Sequence, residues 1–184
     1  MSTAPFTDFT CRVEKSPCVK AFEFTAYLTA PSSAHAASPI FANWPTAPGG
    51  VLQDSNGRPA LLHIAPTRWL APEPTFATLA ILGAASAAGA GIAVDVSGKW
   101  QAIKLLGSGA SRLLASTIDI EAILSGRACA ALSLFDCPSV VTRLPEGFAI
   151  WVRSSYATEF NAAVARLHSC SPPGSDPAST RRKI

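Results

Sequence analysis

Apolar and polar positions along this chain recur with two periods, and the switches between them mark out the elements. Residues 9–13 alternate, with Phe9, Cys11 and Val13 on one side and Thr10 and Arg12 on the other. Phe22, Phe24, Ala26 and Leu28 alternate in the same way with Glu23, Thr25 and Tyr27. Both stretches read as half-buried strands, with Ser16-Pro17 turning between them. The turn signal Asp54-Ser55-Asn56-Gly57 precedes an apolar strand over 60–65; Pro66-Thr67-Arg68 then turns the chain and Trp69-Leu70 resumes it. Phe76, Leu79, Leu82 and Ala85 stand at helical spacing after Pro72 and Pro74, and Gly89 and Gly91 end that helix. Strands are expected over 92–96 and 101–106, joined by a short hairpin turn at Ser97-Gly98-Lys99.

The second half continues the pattern. Gly107-Ser108-Gly109 leads into a helix over 110–116 that buries Leu113 and Leu114. An irregular or short helical connection carries Ile118, Ile120, Ile123 and Leu124. Three strands follow over 128–135, 139–144 and 148–153, with Pro138 breaking the first from the second and Pro145-Glu146-Gly147 turning the second into the third. In the last helix, over 155–168, Tyr156, Phe160, Val164 and Leu167 share one face, and Ser154 or Ser155 can cap it. Helices interleaved with hairpin-connected strands define an α+β class: a mostly antiparallel sheet with two or three helices packed on one face and split β-α-β elements.

Residues 1–29 form the N-terminal strands. Residues 30–55, broken by Pro31, Pro39, Pro45 and Pro48, read as a Pro/Ser/Ala-rich linker or arm. Residues 56–169 make the α+β domain, and 170–184 a disordered tail. The arm carries Phe41 and Trp44, which fit either a partner subunit or the chain's own domain. Trp100 stands at the expected hairpin turn, where a polar residue would be less costly; the alternative is that it folds over the sheet edge. Bulky aromatics in turns and loops are costly unless covered, so Phe41, Trp44 and Trp100 are the expected partner-interface residues.

Composition sharpens that expectation. Apolar residues make up 48% of the 184 and charged residues only 15%, against roughly a quarter in typical soluble domains. Such a surface leaves apolar area open or covers it with a partner. The net charge of +3 lacks the clustered basic face of a nucleic-acid binder, since Arg181-Arg182-Lys183 sits in the tail. No apolar run reaches the roughly 18 residues of a membrane span, because Gly83, Gly89 and Gly91 interrupt the nearest candidate. Residues 1–10 have neither a basic nor an apolar leader region, so a cytoplasmic protein is expected.

Candidate chemistry is sparse. The five cysteines (Cys11, Cys18, Cys129, Cys137, Cys170) contain no Cys-x-x-Cys, and none of His35, His63 and His168 lies at ligand spacing from one. No metal site is expected, and Cys129 reads as a small apolar strand residue. Gly107-Ser108-Gly109-Ala110-Ser111-Arg112 superficially follows a dinucleotide fingerprint, but Arg112 stands where a small residue is needed, so a tight strand-to-helix corner is expected. His63, inside Leu61-Leu62-His63-Ile64, is either semi-buried or on an outer face, with no catalytic partner evident. Asp95 is placed to accept backbone N–H groups of the turn after it, an Asx-type role. No catalytic, cofactor-binding or metal-binding residue is assigned.

Motif order brings in a family. Asn56-Gly57, the strand Ala60-Leu61-Leu62-His63-Ile64, Pro66, Trp69-Leu70, Val94-Asp95-Val96-Ser97, Leu105-Leu106-Gly107 with Ala110 and Leu113-Leu114, Val140-Val141-Thr142-Arg143 and Trp151-Val152-Arg153-Ser154 occur in sequence. Residues 56–167 thereby resemble the gamma-subunit family of heterotetrameric sarcosine oxidase, within the aminomethyltransferase (glycine-cleavage T-protein) superfamily. The chain departs from the catalytic relatives at three places. Pro138 and Ser139 stand where they carry acids, with only Asp136 nearby; Gly98 stands where a histidine is frequent; and Cys129 lacks the flanking Lys, Tyr and Gln of the iron–sulfur assembly relatives. The resemblance implies a T-protein folate-binding-domain-like fold without the working groups. It implies a non-catalytic subunit of a flavoenzyme complex that oxidatively demethylates a secondary N-methyl amine such as sarcosine and passes the one-carbon unit to tetrahydrofolate. Its implied partners are a large alpha (NAD/folate-binding) subunit, a beta (FAD/FMN-binding) subunit and a small zinc delta subunit; FAD, FMN, NAD, tetrahydrofolate and zinc are held there and none by this chain. The alternative is a stand-alone folate- or one-carbon-binding protein.

Overall fold

The computed structural model describes residues 10–16, 20–27, 41 and 44–170. In chain order the elements are β1 (Arg12–Ser16), β2 (Ala21–Ala26), β3 (Val51–Gln53), β4 (Pro59–Ala65), β5 (Arg68–Pro72), α1 (Phe76–Ala87), β6 (Gly91–Asp95), β7 (Trp100–Leu106), α2 (Ala110–Ala115), α3 (Ile120–Ile123), β8 (Cys129–Leu134), β9 (Cys137–Leu144), β10 (Gly147–Arg153) and α4 (Ala157–Cys170). The strands form two five-stranded antiparallel sheets. The first has the order β1-β7-β10-β9-β8 and the second β3-β4-β5-β2-β6.

Strict alternation sorts the side chains into layers, because successive residues of a strand point to opposite faces. Phe148, Ile150 and Val152 of β10, with Ile103 and Leu105 of β7, face α2, α3 and α4 and pack on Leu113, Leu114, Ile120, Phe160 and Val164. Ala149 and Trp151 of β10, with Trp100 and Ala102 of β7, face the other sheet and meet Ala21, Leu62 and Leu70. The far side of the second sheet carries Phe24, Leu61, Trp69 and Ala71 against Leu82 and Ala85 of α1. The result is four layers: α1, second sheet, first sheet, then the remaining helices. The α+β, mostly antiparallel class therefore stands. The single sheet with helices on one face does not: there are two sheets, and helices cover both outer sides.

Several local expectations change for the same reason. β6 and β7 belong to different sheets, so Ser97-Gly98-Lys99 is a short 3-10 crossover and not a hairpin. β1 and β2 are likewise split between the sheets, with residues 17–19 outside the described part. The break between β8 and β9 falls at Phe135-Asp136, both with left-handed φ of 51° and 60°, the conformation of a two-residue hairpin turn. Pro138 sits inside β9 opposite Ser133, just past Ser139, where the pairing with β10 ends. There its missing N–H removes no ladder bond to β10.

A domain beginning at residue 56 is also corrected. β1 pairs with β7, and β2 lies between β5 and β6, so the N-terminal strands are integral to both sheets. Residues 44–55 are not a free arm: Gly49 bridges the sheets, its N–H donating to the His63 carbonyl (2.8 Å) and its carbonyl accepting from Ala128 and Cys129 (2.9 Å each). The proposed tail over 171–184 lies outside the described residues.

Local chemistry explains the ends. Thr75 caps α1, its hydroxyl accepting from the Thr78 N–H at 3.2 Å. Gly107, at the corner between β7 and α2, has φ of 102°, and a Cβ there would overlap the Thr10 carbonyl oxygen. Gly107→Ala should therefore lower unfolding stability by about 1–3 kcal/mol, the usual cost of one such strained position; a denaturation midpoint equal to wild type would contradict this corner geometry.

Candidate functional site

Among the described residues the seam between the sheets contains one carboxylate, Glu23 of β2, which is 7% exposed. The alternation that sends Phe24 outward toward α1 sends Glu23 inward, on the same face as Ala21. Three donors meet it: Arg68 Nη2 on Oε2 (2.7 Å), Lys99 Nζ on Oε1 (2.6 Å) and Trp100 Nε1 on Oε1 (3.1 Å). Arg68 comes from the neighbouring strand β5, whereas Lys99 and Trp100 arrive from the 3-10 crossover and β7, so the carboxylate ties one sheet to the other. Burial by itself would raise its pKa. The hydrogen bonds and charges of Lys99 and Arg68 outweigh burial and hold it below its ordinary value.

Beside this node the edge of the sandwich opens into a cleft of about 250 Å³. Ile64 and Ala65 of β4, Arg68 of β5, Trp100 of β7, Ala131 and Leu132 of β8, Pro138, Ser139 and Val140 of β9 and Arg153 of β10 line it. The Arg153 guanidinium carbon lies 5.8 Å from the centre of the Trp100 ring, and Lys99 Nζ lies 5.8 Å from that centre as well. The Nε of Arg153 is buried without an acceptor among the described residues. Three cationic groups thus surround the cleft and its back wall against the single carboxylate of Glu23.

A larger, more open hollow of about 560 Å³ lies at the Gly107 corner. Its cation, Arg143, is already matched by Glu121 at 2.7 Å and 3.4 Å, and Glu121 also accepts from the Ser111 hydroxyl. The corner reads as structural, as the glycine pattern indicates. Asp95 accepts from the Ser97 N–H (2.9 Å) and hydroxyl (2.6 Å), the turn-fixing role expected of it. His63 is buried and stacked on Trp69, 4.4 Å between ring centres. Burial lowers its pKa against the opposing pull of nearby backbone carbonyls, the nearest in effect being Pro66 and Ala47, yet neither ring nitrogen has a partner in hydrogen-bonding geometry. Cys129 is buried in β8, and burial pushes its thiol up to about 11, against a smaller opposite effect from His63's backbone. Among the described residues no group of three or more His, Cys, Asp and Glu converges as a metal site.

The three aromatics expected to be exposed are not. Phe41 (5%), Trp44 (5%) and Trp100 (4%) are all interior. Phe41 and Trp44 join Phe24 and Trp69 in one cluster on the outer face of the second sheet, with Phe24–Trp44 ring centres 4.9 Å apart and Phe41–Trp44 centres 4.8 Å apart. Phe41 and Trp44 pack back on their own domain because that face offers an aromatic bed; residues 30–40 and 42–43 lie outside the described part. Trp100 is the beginning of a strand and not a turn, and its ring is a wall between the sheets.

Exposure falls elsewhere. Tyr27, Ile92 and Val94 are each close to half exposed. Ile92 stands opposite Thr25 and Val94 opposite Glu23, which places them on the face that looks toward the first sheet but beyond its reach. β6 is also an edge strand, so an apolar strip and an unpaired backbone edge coincide there. No helix among the described residues is long and apolar enough to cross a membrane.

Glu23, Arg68 and Arg153 were not singled out by sequence. Glu23 belongs to the polar side of an alternating strand, which normally means the solvent side; only the first sheet, packed over that face, reverses the reading.

Comparison with known proteins returns a fold. No protein-family profile matches the chain, and no curated protein sequence does. A chain of the heterotetrameric sarcosine oxidase from Corynebacterium sp. U-96, solved in complex with pyrrole 2-carboxylate, superposes with a TM-score of 0.67 at 20% identity, over 86% of this chain and 84% of that one. The near-equal coverages mean that the two chains are of similar length. The regulatory subunit of aspartate kinase from Thermus thermophilus superposes at a TM-score of 0.46 and 16% identity over 87% of this chain and 99% of that one, too loosely to bear on function. The fold is thus shared with a chain of a sarcosine oxidase assembly.

Two predictions follow from the seam. Trp100→Ser should destabilise the isolated chain by about 3–5 kcal/mol, as loss of a buried large aromatic does; a variant as stable as wild type would return Trp100 to the surface. Glu23 contributes stability that is present above its ordinary pKa of 4.5 and is lost as pH falls through its lower folded-state value. Glu23→Gln should cost roughly 1–3 kcal/mol at neutral pH, discounted for partners about a third exposed, and should flatten the acid limb of a stability–pH curve. An unchanged acid limb would count against the clamp.

Proposed function

We propose that this chain is a non-catalytic, gamma-type subunit of a heterotetrameric sarcosine-oxidase-like flavoenzyme, located in the cytoplasm. The complex would demethylate a secondary N-methyl amine and hand the one-carbon unit to tetrahydrofolate. The observation that carries this reading is the shared fold with a similarly long chain of the Corynebacterium assembly. Flavins, NAD, folate and zinc belong to the alpha, beta and delta subunits in this reading, and this chain packs against alpha.

The chain's own chemistry supports a structural part. Its one described interior histidine is held neutral by burial and stacked on Trp69. Its interior thiol at Cys129 is far from ionised at neutral pH. The most buried carboxylate among the described residues is engaged by three donors within the fold. A general base or a nucleophile needs a matched pKa and access to substrate, and burial denies access to His63 and Cys129 alike. The strip of Ile92 and Val94 along the β6 edge offers a partner both apolar area and backbone groups.

Tagged wild-type chain purified from its native host should bring down large subunits with flavin absorbance. The double variant Ile92→Asp, Val94→Lys should lose that association at least about tenfold, the effect of placing charge in a desolvated contact, while keeping its own thermal midpoint. A solitary, monodisperse wild-type chain with no flavin partner, or one that oxidises methylated amines unaided, would overturn the reading.

A further inference from the structure

We propose that the cleft at the edge of the sandwich binds a small organic carboxylate with a short apolar body, its carboxylate held between Arg68 and Arg153. This stands apart from the assembly reading, since every group involved lies within this chain.

Arg153 carries the argument. It lines the cleft and is half-buried, its guanidinium carbon lies 5.8 Å from the centre of the Trp100 ring, and among the described residues no carboxylate pairs with it. A half-buried guanidinium without a carboxylate beside it is unusual, and the donors at its outer end are the ones a molecule in the cleft can meet. Arg68 lines the same cleft and uses Nη2 for Glu23, which leaves guanidinium donors for a second acceptor. Glu23 does not neutralise the pair, because Lys99 already shares its Oε1. The cleft therefore has a local excess of positive charge, and guanidinium groups match a planar carboxylate with two parallel bonds.

The rest of the wall sets the body of the ligand. Ile64, Leu132, Val140 and the Trp100 ring offer apolar surface, which disfavours a fully hydrated inorganic anion. A volume of about 250 Å³ falls below the range usual for drug-sized ligands and suits a molecule of a few heavy atoms.

The test uses the full chain, titrated with sodium butanoate at constant ionic strength while the indole N–H resonance of Trp100 is followed by NMR. A saturable shift is expected. Arg153→Gln should weaken it at least about tenfold, the loss of one charge-assisted contact, without moving the thermal midpoint. Neutral butanamide and inorganic phosphate should not saturate over the same range. If Arg153→Gln does not fold, Arg153→Lys carries the same expectation, since it keeps the charge and stem but not the planar fork. A non-saturating wild-type titration, undiminished binding in the folded Arg153 variant, or butanamide or phosphate binding as tightly as butanoate would each overturn the proposal.

Discussion

One buried carboxylate fixes how the two sheets meet. Between them the inner faces carry Leu62, Leu70, Val140, Trp100 and Trp151 together with the small side chains of Ala21, Ala102, Cys129 and Ala149. Apolar burial is non-directional, so these side chains favour a contact between the sheets more than one polar register along it. Glu23 supplies the alignment. A carboxylate out of water is tolerable only with its donors in place, and removing any of them leaves a desolvated charge. Lys99 and Trp100 must therefore sit over β2 at one position along the seam, and the rest of β7 follows.

That alignment also decides what the sandwich leaves uncovered. The sheets are joined near Glu23, and the cleft edged by Arg68 and Arg153 opens beside that junction. On the other edge of the second sheet, β6 carries Ile92 and Val94 outward past the first sheet. One margin is cationic and concave, the other apolar and flat. The two suit different neighbours, yet only β2 divides them: Thr25 stands opposite both Arg68 and Ile92, and Glu23 stands opposite Val94.

Much of the secondary structure was legible because its periods are clean. The helix burying Leu113 and Leu114, the face shared by Phe160 and Val164, and the strand over 148–153 all appear where their spacing places them. The layer arrangement was not legible. Turn residues at 97–99 look alike whether the chain returns along its neighbour or crosses to another sheet, and only long-range pairing distinguishes them. Trp100, Phe41 and Trp44 show the same limit from the other side: an aromatic beside a turn or in a proline-rich stretch carries no local mark of the cavity that receives it. Glu23 was hidden because its neighbours Thr25 and Tyr27 are also polar, so its face of the strand resembles one that meets water.

The route of the backbone between the layers has a consequence for the order of events on the ribosome. Strands β2 to β6 are consecutive and complete one sheet by Asp95, so that half can assemble as it emerges. β1 is different: Val13 pairs with Leu105, a strand made only after the whole of the other sheet has been synthesised. On the growing chain β1 thus waits, unpaired, beside a finished sheet to which it does not belong, and its late pairing with β7 closes the first sheet. Such sequence-distant closure is the slow kind of folding step, and it gives the newborn chain an interval in which its edges are open to company.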